Sequence, residues 1–325
     1  MSLLKEPSTY TLVVGGSGFI GTRLVHLLAE RSLPARIGDI RKSDSFPHLW
    51  SYCDVTQGET ISALASGASA IINLAAEHRD DISPVSRYYD VNVEGAVQVC
   101  KAARTAGIRR IVFTSSVAVY GFHTHAVDEQ GPFEPFNEYG KTKLQAESVY
   151  RTWAEEDPAR TLIIIRPTVV FGEGNRGNVY NLMNQIASGK FLMVGAGANI
   201  KSMAYVGNVA AFLEHCLSVG SGINISNYVD HPDLNTRQLV EFIYRCMAIS
   251  GPGHGIPRMA AAGVGHLFDL LARVSGRKFP ISAIRVRKFC ETTQFRADRV
   301  PEWGFAPPFS LTEGLGRTIR FEFVE

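Results

Sequence analysis

Residues 11–21 read Thr11-Leu12-Val13-Val14-Gly15-Gly16-Ser17-Gly18-Phe19-Ile20-Gly21. A β-branched run ends at Gly15, and from Gly18 to Arg31 the apolar residues Phe19, Ile20, Leu24, Leu27 and Leu28 recur at helical spacing. The stretch therefore predicts a strand that turns directly into a helix. Gly15, Gly18 and Gly21 stand three residues apart. The first permits the tight turn, the second lets backbone approach a pyrophosphate, and the third lets helix and strand pack closely. The helix N-terminus, opened by Phe19 and Ile20, offers unpaired N–H groups to the anion. Asp39 ends the next apolar run (Ala35 to Asp39), eighteen residues past Gly21, where an acid would bond the adenosine ribose hydroxyls. A carboxylate there repels a 2′-phosphate and favours NAD. Arg41 and Lys42 follow at once and could attract that phosphate, so NADP stays open.

Outward from this loop the same unit recurs. Tyr52–Val55, Ala70–Leu74, Arg110–Ser115 and Thr161–Arg166 read as further strands. Helical patterns run from about Pro84 to Ala106 and from about Glu138 to Glu156. Strands that are nearly continuous apolar runs are buried on both faces, as a parallel sheet covered by helices requires. The fold class is therefore α/β, a Rossmann doubly wound parallel sheet. After Pro167 the pattern loosens. Helices are expected near Val179–Ser188, Val206–Leu217, Thr236–Ala248 and Ala260–Val274, with one strand at Gly222–Ser226 and a glycine- and proline-rich break at Gly251–Pro257. This tail is too irregular for a second sheet domain. It reads as a smaller C-terminal substrate lobe, with part of the chain returning to the main sheet. The expected division is 1–168 with about 205–230 for the dinucleotide, and about 169–204 with 231–325 for the lobe.

Composition narrows the function classes. The 325 residues are 45% hydrophobic and 20% charged, and 33 Lys+Arg against 31 Asp+Glu leave a net charge of +2. That is ordinary globular composition, without the positive excess needed to wrap a nucleic-acid backbone. The five cysteines (Cys53, Cys100, Cys216, Cys246, Cys290) are scattered, which suggests reduced thiols in a cytoplasm. The first residues are too short and too charged for a signal peptide, and no run of eighteen apolar residues predicts a membrane span. His123 and His125 lack a third ligand nearby in sequence, so no metal site is expected.

Tyr139-Gly140-Lys141-Thr142-Lys143 opens a helix and sets Tyr139 and Lys143 one turn apart on one face. A free phenol titrates near 10 and is a poor base at neutrality. A fixed ammonium nearby stabilises the phenolate and brings it toward working range. The fifth strand ends in Thr114-Ser115-Ser116, and carboxyl ends of parallel strands line the ligand crevice, so the Ser116 hydroxyl can face the same substrate atom. On spacing alone, a surface Tyr–Lys pair is an equal alternative.

Taken together these motifs resemble the extended short-chain dehydrogenases/reductases, in the nucleotide-sugar epimerase/dehydratase branch, and there the UDP-glucose/UDP-N-acetylglucosamine 4-epimerases. The matching elements are the glycine loop, Asp54-Val55, Asn73-Leu74-Ala75-Ala76, Asn92, Ser115-Ser116, Tyr139 with Lys143, and Arg166-Pro167-Thr168. The resemblance implies Tyr139 as acid/base on the sugar 4-hydroxyl, Lys143 holding the ribose and tuning Tyr139, and Ser116 bonded to the reacting oxygen. It implies cofactor contacts from Asp54 and Val55 (adenine), Leu74, Ala75, Ala76, Asn92 and Pro167. It implies a homodimer paired through the helices near Val85–Arg104 and Tyr139–Trp153.

Departures separate the branches. Val117-Ala118 stand where 4,6-dehydratases carry Asp-Glu, so dehydration is not expected. The Glu usual in UDP-glucuronate decarboxylases is missing too. An NAD-dependent 4-epimerase of a UDP-hexose or UDP-N-acetylhexosamine remains, with an NADPH-dependent reductase of a nucleotide-linked 4-keto sugar as alternative. A third possibility is a binding module that senses NAD(P) without catalysis; intact Ser116, Tyr139 and Lys143 speak against it. In the tail the resemblance suggests nucleotide and phosphate contacts from Asn181, Lys201 and Arg285 or Arg287, with Cys290 limiting sugar size. The apolar face of Leu267, Phe268, Leu270 and Leu271 reads as lobe packing, with contact to a membrane or polyisoprenyl substrate as the alternative.

Overall fold

The computed structural model describes residues 9–79, 82–251 and 291–324. Its centre is a seven-stranded parallel sheet in the order β3 (Trp50–Tyr52), β2 (Ala35–Asp39), β1 (Tyr10–Val14), β4 (Ala68–Asn73), β5 (Arg110–Thr114), β6 (Thr161–Pro167), β10 (Gly222–Tyr228). Helices α1 (Phe19–Glu30) and α7 (Val206–His215) cover one face. Helices α2 (Gly58–Ala65), α4 (Gly95–Ala106) and α5 (Glu138–Glu155) cover the other. Successive side chains of one strand point to opposite faces. Leu12, Val14, Ile71, Ile111, Phe113 and Ile164 therefore enter the α4/α5 core, and Val13, Ile37, Ile72, Val112 and Ile163 the α1/α7 core. Because both faces are apolar, the strands show no polar alternation.

The doubly wound sheet is as expected, and β10 does return to it from the tail, pairing with β6 along its whole length. The tail itself is more ordered than expected. It holds two two-stranded ribbons, β7 (Val169–Phe171) with β9 (Met203–Tyr205) and β8 (Ile200–Lys201) with β11 (Leu234–Asn235). These pack with α6 (Asn178–Ala187), α8 (Thr236–Cys246) and α10 (Leu311–Ile319) around Met183, Tyr205, Leu239, Ile243 and Leu315. A short α9 (Arg299–Glu302) precedes α10. The helix expected from Pro84 to Ala106 is continuous but starts with α3 (Ser86–Tyr89), then widens to an i→i+5 turn over Asp90–Glu94 before α4. The helix expected at Ala260–Val274 lies outside the described residues.

Strand β1 runs into α1 on one side of the sheet, whereas β4 leads to the α4 side. The switch point between β1 and β4 leaves a crevice at their carboxyl ends, where open α/β sheets bind ligands. Neighbours Ile71 and Ile72 in β4 are both fully buried but belong to opposite cores. Replacing either with Ala should cost about 2–5 kcal/mol in urea unfolding. A near-neutral result at one of them would show that one face of the sheet is not sealed.

Candidate active site

At the crevice, the glycine loop closes on itself. Gly15 has φ +78°, a left-handed conformation that side chains with a Cβ adopt rarely. A Cβ there would lie 2.7 Å from the Ala75 nitrogen, so the loops after β1 and β4 touch only because that atom is missing. At Gly21 a Cβ would come within 2.6 Å of the Gly15 oxygen, which is how α1 reaches the loop. Gly18 is the N-cap of α1 and supplies no side-chain cap. The first N–H groups of α1, Phe19 and Ile20 among them, are thus left for an anion.

Asp39 is buried at the end of β2, and its two carboxylate oxygens accept from the Ser17 N–H (3.0 Å) and the Arg41 N–H (2.9 Å). The acid therefore holds the glycine loop in place. Ser17, which no sequence motif singles out, contributes a buried hydroxyl oxygen with no hydrogen-bond partner. An orphaned hydroxyl, a bare helix N-terminus and a loop without Cβ atoms form a cradle suited to the pyrophosphate of NAD.

Leu74 and Ala75 follow β4 as wall residues. The Leu74 N–H donates to the Val14 carbonyl at 2.8 Å, and the Ala75 N–H to Asn73 Oδ1 at 3.0 Å. Ala76 continues that wall, partly buried. Asn92 sits in the wide turn with its side chain already committed. Its Oδ1 accepts from the Glu77 N–H (2.9 Å), and its Nδ2 donates to the Glu77 carbonyl (3.0 Å) and Thr142 Oγ1 (2.9 Å). In this structure it ties the wall to α5. Asp54 likewise turns inward on its own loop, accepting from the Thr56 N–H (2.9 Å) and hydroxyl (2.8 Å), while Val55 is buried beneath Gly95. Pro167 is buried at the end of β6.

The groups expected to react come from β5 and α5. Asn137 caps α5, its Oδ1 accepting from the Gly140 N–H at 2.9 Å, so Tyr139 lies in the first turn and Lys143 in the next. Ser116 follows β5, and its Oγ accepts from the Ala118 N–H at 3.1 Å. Burial raises the Tyr139 phenol above its ordinary value, and the neighbouring Ser116 hydroxyl works against that rise. Lys143 is buried. Its Nζ donates to the Thr114 carbonyl at 2.8 Å and lies 4.7 Å from the Phe113 ring centroid and 5.9 Å from that of Tyr139. Burial pulls Lys143 down to about 7, opposed by the negative charge of Glu147. Sequence spacing thus finds the Ser116, Tyr139 and Lys143 constellation, and the structure brings the three together.

Behind them lies a buried polar chain that sequence reasoning misses. Arg166 makes a two-pronged pair with Glu147 (Nε to Oε1 2.8 Å, Nη2 to Oε2 2.6 Å). Arg166 also donates to the Tyr120 hydroxyl (2.6 Å), which donates to Asn227 Oδ1 (2.7 Å) on β10. The one local signal for Glu147 is an acid four residues after Lys143, on the same helix face.

In the lobe, Asn181 is exposed on α6. The loop before α6 is braced by Glu322, which accepts from the Gly174 N–H (2.7 Å) and from Arg176 (2.8 Å). The Lys201 ammonium donates to the Glu291 carbonyl at 2.6 Å. Arg285, Arg287 and Cys290 lie outside the described residues. His123 is bonded to the Tyr120 carbonyl, and among the described residues no group of three or more His, Cys, Asp or Glu side chains could hold a metal ion.

The depressed Lys143 has a consequence for stability. Below about 7 it is protonated in folded and unfolded chains alike. Between there and the ordinary lysine value of about 10.4 it is neutral only when folded, so the unfolded chain binds the extra proton and stability rises with pH across that window. Lys143→Met should remove this rise. Urea unfolding of the cofactor-free protein at a pH of about 7 and about 9 measures it, and a wild-type rise no larger than the variant's would contradict the burial of a titrating lysine.

Comparison with known proteins identifies the family. The family model for the NAD dependent epimerase/dehydratase family matches residues 11–225. An N-acetyl-alpha-D-glucosaminyl-diphospho-ditrans,octacis-undecaprenol 4-epimerase of Escherichia coli O157:H7 is 48% identical over 315 residues, 96% of this chain and 95% of the relative. A UDP-glucose 4-epimerase of Vibrio cholerae is 27% identical over 323 residues, 95% of this chain and 94% of the relative. Among solved structures, a Thermus thermophilus UDP-glucose 4-epimerase in complex with NAD shares the fold with a TM-score of 0.73 at 18% identity, covering 96% of this chain and 98% of that one. With its glycine loop, its Tyr139/Lys143 helix and most of its length inside the match, the chain belongs to the NAD dependent epimerase/dehydratase family.

Proposed function

We propose that this chain is an NAD-dependent 4-epimerase of a diphosphate-linked sugar, acting by transient oxidation at C4. The observation that carries this reading is the placement of the Tyr139 phenol beside the Ser116 hydroxyl and one helical turn from the buried Lys143, at the open end of β5 beside the glycine loop. The loop residues Gly15 to Gly21 would hold the pyrophosphate, Asp39 the adenosine ribose, and Lys143 the nicotinamide ribose. When bound, NAD would supply a reversible hydride acceptor for C4, so that the keto sugar could be reduced again on its opposite face. Tyr139, as phenolate, takes the 4-hydroxyl proton and returns it at the end. The Lys143 charge favours the phenolate, and the Ser116 hydroxyl donates to the reacting oxygen. Overall no atom is gained or lost and the cofactor ends as it began. Val117 and Ala118 offer no acid or base for eliminating water, in keeping with epimerisation. The division of labour expected from the sequence belongs to the same proposal: 1–168 with about 205–230 for NAD, and about 169–204 with 231–325 for substrate.

The substrate reading is a UDP-hexose or UDP-N-acetylhexosamine, supported by the Vibrio cholerae relative. A second carrier is favoured by a specific finding, since the 48% identical relative is named for N-acetylglucosamine on diphospho-undecaprenol. Offering UDP-N-acetylglucosamine and a polyprenyl-diphospho-N-acetylglucosamine separately, with the released sugar identified, decides between carriers. Conversion of neither to the 4-epimer would remove the proposal.

Homodimer formation through the outer faces of α4 and α5, and a cytoplasmic location, complete the reading. The four described cysteines are all free, as in a reducing compartment, and no described helix is long and apolar enough to cross a membrane.

Two outcomes test the chemistry. Tyr139→Phe should lower turnover at least about a hundredfold, since a positioned acid/base is worth that much, while NAD binding measured by calorimetry stays within a few-fold. An unchanged turnover would mean that another group moves the proton. The purified protein should carry NAD and show no net consumption of added NADPH; steady NADPH oxidation with a 4-keto sugar would instead make it a reductase.

A further inference from the structure

Three consecutive residues at the end of β5 face three side chains on successive turns of α5. The Thr114 carbonyl accepts from Lys143 at 2.8 Å, the Ser115 hydroxyl donates to Glu147 Oε1 at 2.6 Å, and the Ser116 hydroxyl neighbours the Tyr139 phenol. The outer rungs are the groups of the proposed chemistry. The middle rung touches neither sugar nor cofactor, because Ser115 and Glu147 are 1% exposed each. It is the rigid one. Glu147 is held by both prongs of Arg166, and the two side chains are 2% and 0% exposed. Arg166 in turn is fastened to Tyr120 and to the Glu129 carbonyl (2.9 Å).

We propose that Glu147 is a positioning residue for the reaction, aligning Ser116 on Tyr139 through Ser115 and keeping Lys143 cationic through its charge. This rests on the reading that Tyr139 and Lys143 carry the chemistry. The alignment follows from reach. Ser115 and Ser116 are adjacent, so a shift of the middle rung moves the Ser116 hydroxyl with it. The charge effect follows from placement. Lys143 and Glu147 are four apart on one buried helix face. The charged and titratable groups around Lys143 are Tyr139 and Glu147 on α5, with Arg166 on β6 behind Glu147. Strand β5 offers only the Phe113 ring and the Thr114 carbonyl. Glu147 also opposes the downward pull of burial on Lys143.

A buried ion pair that serves the fold alone makes a different prediction from one that serves Lys143, so its two partners can be separated. Glu147→Gln removes the negative charge near Lys143, which then loses its proton at lower pH. Arg166→Gln removes the opposing positive charge and leaves Glu147 free to act on Lys143, which then holds its proton to higher pH. The alkaline limb of kcat should move down in the first variant and up in the second, each by about half a pH unit or more. Limbs that stay put, or move in one direction in both variants, would overturn the proposal.

Either variant could fail to fold, since it leaves a buried charge unpaired. Ser115→Ala removes only the middle rung and leaves the pair intact. It should lower kcat tenfold to about a hundredfold, as small misplacements of reacting groups do, with KM and NAD affinity within a few-fold. Ser115→Thr, which restores a hydroxyl, should recover most of the loss. Full activity in Ser115→Ala would refute the alignment role. An inactive wild-type protein would instead count against the underlying epimerase reading.

Discussion

Burying an ammonium is the demand around which this site is organised. Water stabilises a lysine charge well, and a protein interior does so only where it offers fixed partners. Lys143 has three: the Thr114 carbonyl, the face of the Phe113 ring and the carboxylate of Glu147 on the next turn. They do not fully replace water, and the group is left with a value of about 7. That incomplete compensation is useful. An ammonium already short of stabilisation gains from a phenolate one turn away, so the Tyr139 proton is easier to remove when Lys143 is charged. A fully solvated lysine would exert a far weaker pull, because water screens it.

The sheet decides where such a group can be. Both faces are covered by helices, so polar chemistry can reach solvent only at the ends of the strands. At the carboxyl ends the glycine loop, the Leu74–Ala76 wall and Ser116 stand side by side, because β1, β4 and β5 are neighbours in the sheet. Helix α5 then runs against β5, and its cap at Asn137 sets where its first turn begins. Moving that cap by one residue would rotate Tyr139 by about 100° around the helix and away from Ser116. The same cap region is held from the other side: a Cβ on Gly140 would collide with the Ala118 carbonyl at 2.4 Å, so the helix start and the 117–119 turn pack in contact.

Features that local chemistry determines are legible in the sequence. Continuous apolar runs mark the strands, glycine spacing marks the loop, and Tyr139 with Lys143 lie one helical turn apart. Features set by distant partners are not legible. Helix α2 is eight residues long with only Ile61, Leu64 and Ala65 buried, too little for a periodic signal. Helix α10, absent from the sequence reading, is held at its start by the Ser310 and Glu313 capping box, but Gly314 and Gly316 weaken its helical appearance. Gly314 is explained only by the tertiary structure, since a Cβ there would meet the Tyr205 ring at 2.5 Å. The family resemblance puts Asn92 among the cofactor contacts. Its engagement with Glu77 and Thr142 depends on a widened turn that no spacing rule announces. Glu147 escapes a sequence reading because its partners, Ser115 and Arg166, lie 32 and 19 residues away.

The two carriers differ where the chemistry does not. Epimerisation at C4 needs a base, a hydride acceptor and room for the keto sugar to present its other face. In the proposed reading all of these would lie between β5, α5 and the glycine loop. A diphosphate at C1 asks for cations and N–H donors whether a nucleoside or a polyprenyl chain lies beyond it. The part of the chain that would tell them apart must therefore contact the group attached to the second phosphate, a polar nucleoside in one case and a hydrocarbon in the other. Charge at Lys201 would suit either. The stretch 260–274, with Leu267, Phe268, Leu270 and Leu271, has the composition for the hydrocarbon.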